Sequence, residues 1–80
     1  MAIDLHGFIC KETEKAIGFV ADKDADAAST RMLYIPRSKF LYIYEKDQKS
    51  RIVQTSEGER IGTPVKVVRV DPEWLAKVSA

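Results

Sequence analysis

The side chains that could do chemistry in this chain are one histidine, one cysteine, a short run of alternating aspartates and a row of aromatic residues. His6 and Cys10 are the sole members of their types. A zinc site needs three or four such ligands. On a strand, residues four apart are separated by roughly 13 Å, too far to clasp one ion or to act as a nucleophile and its base. Asp22, Asp24 and Asp26 have the D-x-D-x-D spacing of a calcium loop. The glycine for its sharp turn is absent, however, and Met32 stands where the closing glutamate belongs, so a solvated acidic loop is expected. Ser38 has neither a glycine elbow nor a second histidine to activate it. The four glycines are scattered and form no phosphate-cradling loop. The sequence therefore predicts a protein that is not an enzyme and needs no metal or cofactor.

The aromatic row is more informative. "RSKFLYIYEK" places Phe40, Tyr42 and Tyr44 at alternate positions, with Leu41 and Ile43 between them. This is a strand with two apolar faces. Tyr34, Arg37, Lys39 and Arg51 lie close in sequence, as do Arg31 and Lys49. Aromatic rings on a basic sheet can stack single-stranded bases at ~1–3 kcal/mol each, with cations tracking the backbone. The same residue types make protein hot spots. In a third arrangement, Phe40 and a tyrosine belong to the core. Because a tyrosine tolerates a wet hydroxyl and a leucine has no polar end, Leu41 and Ile43 are expected inside, with the tyrosines facing a partner or the terminal helix. The candidate binding set is Tyr34, Arg37, Lys39, Phe40, Tyr42, Tyr44 and Arg51. The row could also pair with itself in a homodimer.

These residues must be carried by a small scaffold. Eighty residues make one domain, spanning 1–80, and bury only about 60% of the surface the unfolded chain exposes. Hydrophobic residues at 45% and charged residues at 31% fit a folded chain rather than a disordered one. The net charge of +1 excludes a nucleic-acid arm acting through bulk charge. The charges are nevertheless uneven: residues 1–30 hold three lysines against six acidic residues, and residues 31–70 hold nine cations against four. The start of the chain lacks a signal-peptide pattern, and no run approaches the ~20 apolar residues of a membrane span. One cysteine permits no internal disulfide, which fits a reducing cytoplasm.

Period-2 runs mark a first strand through Ile3, Leu5 and Ile9, a polar break at "CKETEK", and a second strand over "KAIGFVA". "TRMLYIP" stops at Pro36, Phe40 to Tyr44 follows, and "RIVQT" leads into a turn at Gly58. After "IGTP", "VKVVRV" changes phase at Val67 and Val68, which predicts a bulge or two-sided burial. Asp71 and Pro72 open a two-turn helix that must be held by packing through Trp74, Leu75 and Val78. The expected fold is mainly β: a small antiparallel five- or six-stranded sheet or barrel, SH3-like or OB-like, with a short C-terminal helix closing one end and Trp74 in the core.

"TEKAIGF", "YIPRSKF" and "PEWLAK" together resemble a pattern in short phage and prophage proteins that read T-x-K-A, a W-I-P-K-S turn and a closing P-x-W-L-A helix. The likeness covers three patches between Thr13 and Lys77. Tyr34 stands where tryptophan is usual, and the segment from Ser38 to Thr63 is enlarged. The resemblance implies a phage-type protein in the host cytoplasm that binds and blocks a host protein or nucleoprotein complex, as anti-CRISPR inhibitors do. The alternative is a single-stranded nucleic-acid-binding barrel.

Overall fold

The computed structural model describes residues 5–25 and 30–79. Ile3 of the expected first strand and Asp26 of the acidic loop lie outside them. The six strands are β1 (His6–Glu12), β2 (Ala16–Ala21), β3 (Leu33–Pro36), β4 (Phe40–Tyr44), β5 (Arg51–Thr55) and β6 (Gly58–Val70). The helix α1 (Pro72–Ser79) follows directly on β6. All ladders between the strands are antiparallel, in the order β3-β2-β1-β6-β4, with β5 on the first half of β6. The sheet does not close into a barrel, since β3 and β4 form its two edges. A parallel bridge, Thr30 to Thr55, draws the chain ahead of β3 against β5.

The polar "CKE" does not interrupt β1 as expected. The strand runs on to Glu12, and its register with β2 shifts between Ile9 and Lys11, so Cys10 is absorbed as a bulge. Thr13 then closes the turn into β2. Its amide donates to the Ala16 carbonyl at 2.9 Å, and its hydroxyl accepts from the Ala16 amide at 3.0 Å. At the β5–β6 turn, Gly58 has φ 102°, a left-handed conformation that glycine adopts without steric cost.

Two clusters, one on each side of the β1–β2 ribbon, form the core. The first gathers Ile9, Ile17, Phe19, Ile35, Phe40, Val65, Val67, Val70 and Val78, and so unites α1 with every strand except β5. The second joins Phe8, Val20, Ala25, Met32 and Val53. Two-sided burial explains why β2 reads as a continuous apolar run. Gly7 is required by this packing, since a Cβ there would lie 2.4 Å from the Phe19 ring.

β6 is 13 residues long because its first half zips to β5 while its second half lies between β1 and β4. The expected bulge is present: Leu41 faces Arg69 and Tyr42 faces Val67, leaving Val68 as the extra residue. Val65, Val67 and Val70 therefore all reach the first cluster while Val68 stays exposed.

The expected helix caps β6 and packs on the sheet face through buried Val78, with Leu75 and Trp74 beside it. Trp74 is half-buried rather than a full core residue, and the Lys77 ammonium sits 4.3 Å from its ring centroid. The helix lies against one face of an open sheet, so it covers a face and does not close the end of a barrel. Phe19, fully buried and in edge contact with Phe40, ties β2 to β4 within the first cluster. Phe19→Ala is expected to cost about 3–5 kcal/mol, close to the whole stability of a domain this size. Trp74→Ala should cost clearly less. Denaturant titration of both variants measures the difference, and equal losses would contradict this placement of the core.

Candidate binding surface

The expected inward placing of Leu41 and Ile43 is overturned, while Tyr44 is exposed at 53%, as expected. Phe40 is buried at 7% exposure, Tyr42 packs against the first cluster, and Leu41 and Ile43 stand outside at 50% and 55%. The reason is volume. Phe40 and Tyr42 add ring volume to the first cluster beside their cross-strand partners Val70 and Val67, which are too small to fill that space alone. The rings form a chain from core to rim. Phe19 and Phe40 are 5.3 Å apart, Phe40 and Tyr42 5.2 Å, and Tyr42 and Tyr44 5.6 Å, the last pair edge-on at 88°.

The polar ends of that chain converge on Glu12, a residue the sequence did not single out. The Tyr44 hydroxyl donates to Glu12 Oε1 at 3.2 Å and the Tyr42 hydroxyl to the same oxygen at 3.4 Å. Arg37 Nη2 lies 3.4 Å from Glu12 Oε2. Arg37 is anchored more firmly by backbone atoms. Its Nε donates to the Thr13 carbonyl at 2.8 Å and its amide to the Lys15 carbonyl at 3.0 Å. Both ends of the Arg37–Glu12 pair are solvent-exposed, so the ion pair adds at most ~1 kcal/mol and chiefly fixes direction. Burial, then the hydrogen bond with Tyr44 and the charge of Glu12, push the Tyr42 pKa up to about 12.

The other expected residues are placed elsewhere. Lys39 Nζ reaches Asp71 Oδ2 at 3.1 Å and Glu73 Oε1 at 3.2 Å, and these carboxylates raise its pKa while tying β4 to the start of α1. Tyr34, on the edge strand β3, donates its hydroxyl to Glu57 and lies 5.8 Å from the Lys11 ammonium. The Arg51 guanidinium stands 5.7 Å from the Phe8 ring centroid, over the second cluster. The seven residues therefore do not converge on one surface. Phe40, Tyr42, Tyr44 and Arg37 share the Glu12 end, Lys39 belongs to the helix start, and Tyr34 and Arg51 belong to other edges.

His6 is hydrogen bonded to Glu45 and is separate from Cys10, whose thiol burial pushes upward in pKa against the opposing charge of Arg60. Among the described residues no group of three or more His, Cys, Asp or Glu could hold a metal ion. No helix among them is long and apolar enough to cross a membrane.

Besides Tyr34 and Tyr44, the exposed large apolar side chains among the described residues fall into two groups that the sequence reading did not identify. Ile52 and Ile61 face each other across the β5–β6 hairpin at 55% and 66% exposure, on the side opposite Val53. Leu41 and Ile43, with the bulged Val68, line the outer side of β4. Both groups could have been read from strand parity once Phe40 and Val53 were placed in the core.

Tyr42 ionisation gives a direct test of the Glu12 hub. Because the native state holds the Tyr42 proton more tightly than the unfolded chain, this stabilisation is complete below pH 10. It is lost as pH rises from 10 towards 12. Replacing Glu12 by Gln removes one of the raising charges, so the Tyr42 transition, followed by ultraviolet difference absorption, should move down without reaching its ordinary value, because burial remains. An unmoved transition would show that Glu12 does not sense the hydroxyl.

No protein-family model, curated protein or solved structure matches this chain.

Proposed function

We propose that this chain is a non-enzymatic binding protein of the phage-encoded kind, which docks on a host protein or nucleoprotein complex in the host cytoplasm and blocks or modulates it. The observation that carries this reading is the Ile52–Ile61 pair. Two large aliphatic side chains directly opposed on a hairpin, with the Gln54–Glu59 pair beside them on the same face, form an apolar centre with a polar border. Protein interfaces share that composition. A small domain with a limited core has no stability reason to leave such residues outside it.

The nucleic-acid reading draws less support. Arg37 and Lys39, two of the cations expected to follow a phosphate backbone, are engaged by Glu12 and by Asp71 and Glu73. Tyr42 and Tyr44 meet edge to face, with their hydroxyls on a carboxylate, and do not offer parallel stacking faces.

The test compares capture from host lysate by the wild type and by Ile61→Glu. A defined protein should be retained by the wild type and weakened by more than ~1–2 kcal/mol in the variant, with the melting temperature little changed. Equal capture by both would remove the hairpin from the interface. Binding of labelled single strands that falls steeply with salt would favour the nucleic-acid alternative instead.

A further inference from the structure

The face of β4 and β6 turned away from the first cluster carries an arrangement of its own. The Glu45 amide donates to the Pro64 carbonyl at 3.0 Å, so the odd-numbered residues of β4 are the ones bonded to β6. Their side chains lie on the face opposite Phe40 and Tyr42, where Leu41 and Ile43 stand 50% and 55% exposed. Ile43 faces Lys66 across the ladder and Leu41 faces Arg69. The bulged Val68 lies between these two cations in sequence and is 45% exposed. Two rows result, aliphatic side chains on β4 and cations with Val68 on β6, about 4.8 Å apart.

The cations of this face differ from those at the ends of β4. Among the described residues, neither the Lys66 ammonium nor the Arg69 guanidinium has an ion-pair partner. The carboxylates that follow the two strands are engaged elsewhere, Glu45 by His6 and Gln48 and Asp71 by Lys39. An apolar row therefore lies beside two uncompensated positive charges, and the complement of such a surface is apolar and acidic.

Charge selects the occupant. A second copy would bring the same two cations, so packing this face on itself is repulsive. Single-stranded bases find no ring to stack on, because Leu41, Ile43 and Val68 are aliphatic. A helix fits the spacing. Its i and i+4 side chains are about 6 Å apart, close to the ~7 Å between Leu41 and Ile43 along a strand, and an adjoining stripe of carboxylates then falls over β6. The opposite face of the same two strands is already covered by a helix, α1, in the cluster that holds Phe40, Val67 and Val70.

We infer that the outer face of β4 and the second half of β6 is a docking surface for an acidic amphipathic helix of a partner protein. The aliphatic stripe of that helix packs on Leu41, Ile43 and Val68, and its carboxylates meet Lys66 and Arg69. The Ile52–Ile61 hairpin is a separate surface, built from β5 and the first half of β6, so either can fail without the other.

The probe is a four-turn peptide with leucines at helical i, i+4 and i+7 positions and glutamates on the adjoining stripe. Its control carries lysines in place of the glutamates. Titrated into the isotope-labelled chain, the glutamate peptide should shift the amide signals of Leu41, Ile43, Lys66, Val68 and Arg69 and leave those of Ile52 and Ile61 in place. Its affinity should fall with added salt. In the Lys66→Glu/Arg69→Glu variant it should fall at least tenfold, and that variant should take up the lysine peptide instead. Ile43→Ser keeps the test decisive if the double variant folds poorly, since it should lose the peptide with the charge unchanged. Ile61→Glu should bind the peptide as the wild type does. No shift at millimolar peptide, equal binding of both peptides by the wild type, or shifts confined to the hairpin would each overturn the inference. Binding of phosphatidylserine vesicles through Lys66 and Arg69 without any response to the peptide would overturn it in favour of a membrane surface.

Discussion

The ladder of β6 is the constraint on which the rest of the structure depends. One strand supplies the pairing partner of β5 along its first half and of β1 and β4 along its second. To do this it must bend, and its sequence marks where. Gly62 sits where a Cβ would lie 2.8 Å from Val53, so the hairpin can fold over Phe8. Pro64 falls where its carbonyl takes the Glu45 amide and the β4 ladder ends. The Val68 bulge then returns Val70 to the core side. With these three features the chain can bury both sides of the β1–β2 ribbon using 80 residues.

The second consequence of that bend is the placing of β4. Phe40 and Tyr42 enter the first cluster, and the β4 backbone is left at an edge of the sheet. Tyrosine suits position 42 because its ring packs on the first cluster while its hydroxyl reaches the rim, where Glu12 accepts it. The "TEKAIGF", "YIPRSKF" and "PEWLAK" patches meet through the same region. The Thr13–Ala16 turn receives Arg37 from the "IPRS" patch, and Lys39 reaches Asp71 and Glu73 at the start of the closing helix. Their shared character is structural: they fasten the crossing from β3 to β4 and the exit from β6.

Much of the fold was legible because it rests on local signals. Alternation located β2, β4 and β5, the phase change at Val67 and Val68 located the bulge, and Asp71–Pro72 located the helix start. The misreadings share one cause. Gly62 and Pro64 are turn-formers locally, yet here they bend a continuous strand. Leu41 and Ile43 rank as more apolar than tyrosine one residue at a time, yet the inward face is chosen by the row containing Phe40 and by the volume it must fill. Glu12 could not be found at all from its neighbours in sequence, since its partners are 25 to 32 residues away. The candidate set was therefore dispersed, whereas the exposed aliphatic groups follow from parity once the inner face is known.

The register of β4 on β6 is the claim that joins these observations, and amide hydrogen exchange measures it residue by residue. The account predicts that the Ile43 and Glu45 amides, held by β6, are protected, while the Tyr42 and Tyr44 amides, on the open side of the edge, exchange much faster. Tyr42 and Tyr44 amides protected as well as that of Ile43, or an unprotected Ile43 amide, would contradict that register.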